Sequence, residues 1–214
     1  MDENNSISLN DQNKRDLKSI ILNNKKIFLT IFLISLIGLF GYFFYTDYKK
    51  NLNVKNAENY NLAVTNFDKN NTTSTIMIMK NIISIKDPTY STLALYFLLD
   101  NNLLSNKKEI NKYFDILIYE TNLEKEVKDL IIYKKGLYNS GSVNEQELLD
   151  IFKPIINGEN LWKSHALYII AEYFLARNEK QKAKEFFEKI VEMKNSNPQI
   201  KIEAQKRLQR DLGA

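Results

Sequence analysis

"HALYIIAEYFLARNEKQKAKEFFEKI", residues 165–190, has an earlier counterpart in "ALYFLLDNNLLSNKKEINKYFDIL", residues 94–117. In the later copy Leu167, Ile170, Ala171 and Phe174 recur at helical spacing and share one face. After a turn at Arg177 to Glu179, Ala183, Phe187 and Ile190 do the same. Small Ala171 and Ala183 let two antiparallel helices approach closely while Phe174 and Phe187 fill the space beside them. Ala94, Leu95 and Tyr96 fall on Ala166, Leu167 and Tyr168 at an offset of 72, and Asn106 falls on Asn178. Ile110, Phe114 and Leu117 then match Ala183, Phe187 and Ile190 at an offset of 73.

That interval holds two units of about 36 residues each, so a further helix pair belongs between the copies. The stretch 127–156 supplies it, with Ile131, Ile132 and Leu137 on a first helix, a turn at Asn139 to Ser142, and Leu148, Phe152 and Ile155 on a second. Upstream, Tyr60, Ala63, Val64 and Phe67 precede a turn near Asn70, and Ile76, Met79 and Ile83 follow it. The expectation is an all-α domain of about four helix hairpins over residues 57–214. One hairpin cannot cover its own apolar faces, so each copy is stable only against another.

Composition agrees. The chain has six Gly and three Pro in 214 residues, too few for a sheet protein with many tight turns. Apolar residues at 44% and charged residues at 26% give a globular balance, and a mean hydropathy of −0.37 argues against a multi-span membrane protein. Without Cys and with His165 as the one histidine, disulfides, thiol nucleophiles and His-based metal sites are excluded. The net charge of +4 is spread along the chain, with no basic stripe interleaved with aromatics, so nucleic acid is not an expected partner.

Residues 27–45, "IFLTIFLISLIGLFGYFFY", hold no charge and as a helix reach roughly 30 Å, the thickness of a bilayer's hydrocarbon core. Gly41 is followed by Tyr42, Phe43, Phe44 and Tyr45 rather than by a small-residue cleavage site, so the segment is expected to stay as a signal-anchor. Lys14, Arg15, Lys18, Lys25 and Lys26 precede it against Lys49, Lys50 and Lys55 after it. This bias points residues 1–26 to the cytoplasm as a tail, in which Leu17, Ile20 and Ile21 could share one side of a short surface helix. Residues 46–56 then form a juxtamembrane linker, and the repeat domain lies across the membrane.

The order Leu167, Ile170, Ala171, Phe174, Ala183, Phe187, Ile190, with Pro198 slightly late, resembles the tetratricopeptide consensus. Asn178 stands where that consensus has Gly, and Asn tolerates the left-handed conformation such a turn needs. The layout of a charged tail, one span near residue 30 and a helical-repeat domain, together with 161–208, resembles the bacterial envelope family of tetratricopeptide-like ancillary subunits of the SecYEG translocon. The resemblance implies a single-pass inner-membrane protein, N-terminus cytoplasmic and C-terminal domain periplasmic, a tetratricopeptide-like α-solenoid that binds exported proteins near the channel exit and passes them to periplasmic chaperones. A structural scaffold for envelope assembly or cell division is the alternative, and homo-oligomerisation is open.

No chemistry is signalled: there is no G-x-S-x-G, phosphate-cradling Gly loop or H-E-x-x-H, and no enzyme activity or cofactor is expected. Glu172, Glu185 and Glu188 among Lys180, Lys182, Lys184 and Lys189 read as a solvated face. Trp162 reads as an anchor docked into the preceding unit. In a stacked array the first helices line the concave wall, which makes Tyr96, Asp100, Tyr133, Lys134, Tyr168, Glu172 and Tyr173 the candidate protein-binding residues. Packing between repeats accounts for the same tyrosines equally well.

Overall fold

A computed structural model describes residues 24–213, and within them every regular element is helical. The surface helix expected around Leu17 to Ile21 lies outside the described residues. The chain divides into two compact units, one up to Lys55 and one from Asn56 onward.

The first unit is the N-terminal part of helix α1, Lys25–Thr65, the one described helix long and apolar enough to cross a membrane. Its side chains are exposed throughout 27–45, unlike those of a helix buried in a protein core. The Thr30 hydroxyl donates to the Lys26 carbonyl, so a polar group within the apolar run is satisfied by the helix itself. The expected linker at 46–56 is helical: neither Gly nor Pro occurs between Gly41 and Pro88, so nothing in the chain breaks the helix there. It stops instead at a turn in which Asp68 Oδ1 accepts from the Asn70 N–H at 2.8 Å.

The second unit continues with α2 (Thr73–Ile85), α3 (Tyr90–Asp100), α4 (Lys107–Asp115), α5 (Lys125–Asn139), α6 (Glu145–Ile156), α7 (Lys163–Ala176), α8 (Lys180–Glu192) and α9 (Pro198–Asp211). The α4 helix runs on into a π-helical turn, Ile116–Glu120, that buries the three consecutive residues Ile116, Leu117 and Ile118. Thr121 Oγ1 closes this turn by donating to the Ile116 carbonyl.

Sequence neighbours pack closely: α2 with α3, α5 with α6, α7 with α8, and α8 with α9. The closest approach of α3 is thus to the helix before it, and the Ser91 hydroxyl donates to the Ile82 carbonyl across that seam at 2.8 Å. Ala166, Ile170, Ala171, Phe174, Ala183, Phe187 and Ile190 are all buried, as their spacing predicts. The ninth helix was not expected as an element, although Asn197 caps it, Pro198 opens it, and Ala204 and Leu208 bury at a spacing of four.

Two expected core residues are displaced. Val64 and Leu137 are exposed, Leu137 because the core face of α5 runs through Ile131, Ile132 and Gly136, one residue round.

The turns after α3 and α7 share one design. Asn102 and Asn178 are left-handed, at φ of 54° and 61°. The N–H of Asn102 reaches the Leu99 carbonyl and that of Leu103 the Leu98 carbonyl; Asn178 and Glu179 repeat this on Leu175 and Phe174. The structural counterpart of Asn178 is therefore Asn102. Asn106, matched to it by sequence, instead caps α4 by accepting from the N–H groups of Lys108 and Glu109.

Gly136 fixes how closely α5 and α6 cross, because a Cβ there would clash with the ring edge of the fully buried Phe152. Gly136→Ala gains about 1 kcal/mol of helix propensity but costs about 1–3 kcal/mol in overpacking. The variant should unfold at lower denaturant concentration than the wild type, and adding Phe152→Leu should recover part of the loss.

Candidate functional site

The first helices meet one another through a periodic set of side chains. Tyr60, Tyr96, Tyr133 and Tyr168 are spaced by 36, 37 and 35 residues, close to the length of one pair. Each sits at a junction between alternate helices. Tyr60 of α1 contacts Tyr90 of α3 with ring centroids 6.0 Å apart, and the Lys134 ammonium of α5 lies 5.9 Å from the Tyr96 ring of α3. Tyr133 of α5 stacks on Trp162 just before α7 at 5.2 Å and 21°. Tyr168 of α7 faces Arg207 of α9.

The second helices have their own cross-links, made of charge. Lys80 of α2 pairs with Glu109 of α4 at 2.6 Å, and Lys182 of α8 pairs with Glu145 of α6 at 2.7 Å. Between α4 and α5, Asn111 and Asn139 exchange side-chain amide hydrogen bonds at 2.8 and 3.0 Å beside a Lys135–Asp115 pair.

Of the seven candidate binding residues, the structure brings Tyr96 and Lys134 together, and Tyr168 and Glu172 together. Tyr133 joins a different group with Trp162 and His165. The Tyr96 hydroxyl is buried without a hydrogen-bond partner, and burial, reinforced by the neighbouring negative charge of Asp100, pushes its pKa up to about 12. Asp100 itself is exposed near the end of α3. Tyr173 is buried; its hydroxyl donates to the Val143 carbonyl at 3.2 Å, and the Arg177 guanidinium lies 3.4 Å from its ring centroid.

Glu172 does not lie on a solvated lysine face. Arg207 Nη2 donates to its Oε2 at 2.9 Å, and its Oε1 lies 2.7 Å from Nε without hydrogen-bonding geometry. Nη1 of the same guanidinium donates to Asp211, whose carboxyl is held well below the usual range by Arg210 and then by Arg207. This network fastens α9 onto α7. The residue missed in the sequence is Arg207, which is 35 positions from Glu172 and recognisable only once α9 is placed.

A cleft of about 720 Å³ opens where the chain enters α5, α7 and α9. Asp129, Trp162, His165 and Ser196 are on its walls. Trp162 is held by Asn160, whose Oδ1 accepts from its backbone N–H at 2.9 Å while its amide donates to the Ile155 carbonyl. His165 lies edge-on to Tyr133 at 5.8 Å and beside Trp162 at 5.2 Å. Its Nδ1 is buried without a partner. Among the described residues no group of three or more His, Asp and Glu side chains is arranged to hold a metal ion.

Burial lowers the His165 pKa from 6.5, against a smaller opposing effect of the Leu161 carbonyl. The unfolded chain therefore takes up this proton at a higher pH than the folded protein does, and stability is lost as pH falls through the unfolded value. The thermal midpoint should fall between about pH 7.5 and about pH 5.5, and His165→Phe should flatten that slope; an unchanged slope would show that another group is responsible. Compared with family models, curated proteins and solved structures, the chain finds no significant match.

Proposed function

We propose that this protein is a non-enzymatic, membrane-anchored adaptor whose helix pairs stack as a tetratricopeptide-like solenoid on the far side of the membrane. The observation that carries the reading is the recurring junction between alternate helices, from Tyr60–Tyr90 to Tyr168–Arg207, on a chain that also holds one exposed apolar helix of bilayer length. Regular contact between alternate helices is what a stacked array requires, and such arrays present extended protein-binding surfaces. The basic bias before the span supports a cytoplasmic N-terminus and a periplasmic domain.

On the sequence resemblance, its partners are the SecYEG translocon, exported proteins and periplasmic chaperones. Trp162 is the residue of that surface best suited to a ligand, since it lines a cleft with Tyr133 stacked against it; Tyr168 and Tyr173 act in packing.

Tagged full-length protein recovered from bacterial membranes in a mild detergent should bring channel subunits and periplasmic chaperones with it. Recovery of self-copies or division proteins alone would transfer the assignment to an envelope scaffold. Protease added to intact spheroplasts should digest the C-terminal domain; full protection would reverse the orientation.

A further inference from the structure

The cleft at the starts of α5, α7 and α9 has a charge opposite to that of the chain. Glu126, Asp129 and Glu159 line it against the single cation Lys125, in a protein whose net charge is +4. Asp129 is only 7% exposed, so its carboxylate is an unusual group to find without a fixed partner. Its ion-pair partner is the Lys125 ammonium at 3.1 Å, carried on a side chain that is 68% exposed. A pair with one partner that free in solvent is weak and readily exchanged.

The other walls fit the same kind of guest. The Trp162 indole, braced by Tyr133, offers an aromatic surface of the type that attracts ammonium and guanidinium groups. His165 Nδ1 and Ser196 Oγ are buried with no hydrogen bond made. Three helix starts gather here, and helix starts by themselves favour anions. At α7 and α9, however, Asn160 and Asn197 already accept from the N–H groups of Trp162, Gln199 and Ile200, while Glu126 occupies the first turn of α5. The carboxylates therefore set the sign of the site.

We propose that this cleft receives an arginine or lysine side chain of a bound polypeptide, which displaces Lys125 from Asp129 and lies against Trp162. The adaptor reading is needed only for the guest being a peptide. It says nothing of the side chain the guest presents.

Trp162 is the only tryptophan in the chain, so its emission reports on this cleft alone. Full-length protein in detergent is titrated with acetyl-Ala-Arg-Ala-amide and with the same peptide carrying citrulline, which keeps the shape and removes the charge. The arginine peptide should give a saturable change, with citrulline binding weaker by about tenfold or more and Asp129→Asn weakening the arginine peptide by a similar factor. Lys125→Ala, a change at an exposed side chain, should instead tighten binding several-fold by removing the internal competitor.

Equal binding of both peptides, no saturable change, or an affinity unaltered by Lys125→Ala would overturn the proposal. If Asp129→Asn loses its helical circular dichroism, the Lys125→Ala result decides alone. Co-purification with the channel is indifferent to all of these outcomes, so the two readings fail separately.

Discussion

A helix in a hairpin has an apolar stripe facing its partner, but several helices here also carry side chains that touch the next helix but one. Tyr60, Tyr96, Tyr133 and Tyr168 stand at those junctions. Tyrosine suits the place because its ring removes a large area from water. The last junction substitutes charge for stacking: α9 is held by one guanidinium shared among Tyr168, Glu172 and Asp211.

The parts readable from sequence were those governed by local periodicity. Leu95, Ile131, Phe152, Ile170, Phe187 and their neighbours are buried because a helix returns to the same face every three or four residues, and no distant information is needed to see it. What escaped was set at longer range or by register. Leu137 has the right spacing by eye but loses its place to Gly136, which is chosen by the bulk of Phe152 on another helix. Asn106 and Asn178 align as letters, yet the α3–α4 loop is longer than the α7–α8 loop, so one caps a start and the other ends a helix. The persistence of α1 through 46–56 follows from missing breakers, a signal weaker than the polarity that suggested a linker.

The candidate binding residues illustrate the same division. Sequence placed seven of them on first helices, and the structure keeps them there, but their surroundings come from other helices. Tyr173 is closed over by Arg177 and the α6 entry, and Glu172 by α9, whereas Trp162 and His165 line a cleft. That cleft consists of three loops that precede three different helices. Its acidity arises from residues 30 positions apart, Asp129 and Glu159. Nothing in the local pattern of either segment announces it.

Every strong packing contact joins a helix to the next one or to the one after that. Low sequence separation between contacting residues keeps the loop-closure entropy of each step small and favours fast assembly. A chain of this kind that emerges from a ribosome or a membrane channel in linear order can close each pair soon after it appears, docking it on the pair already formed. No early segment has to wait exposed for a partner encoded a hundred residues later, which lowers the time that its apolar faces are open to aggregation.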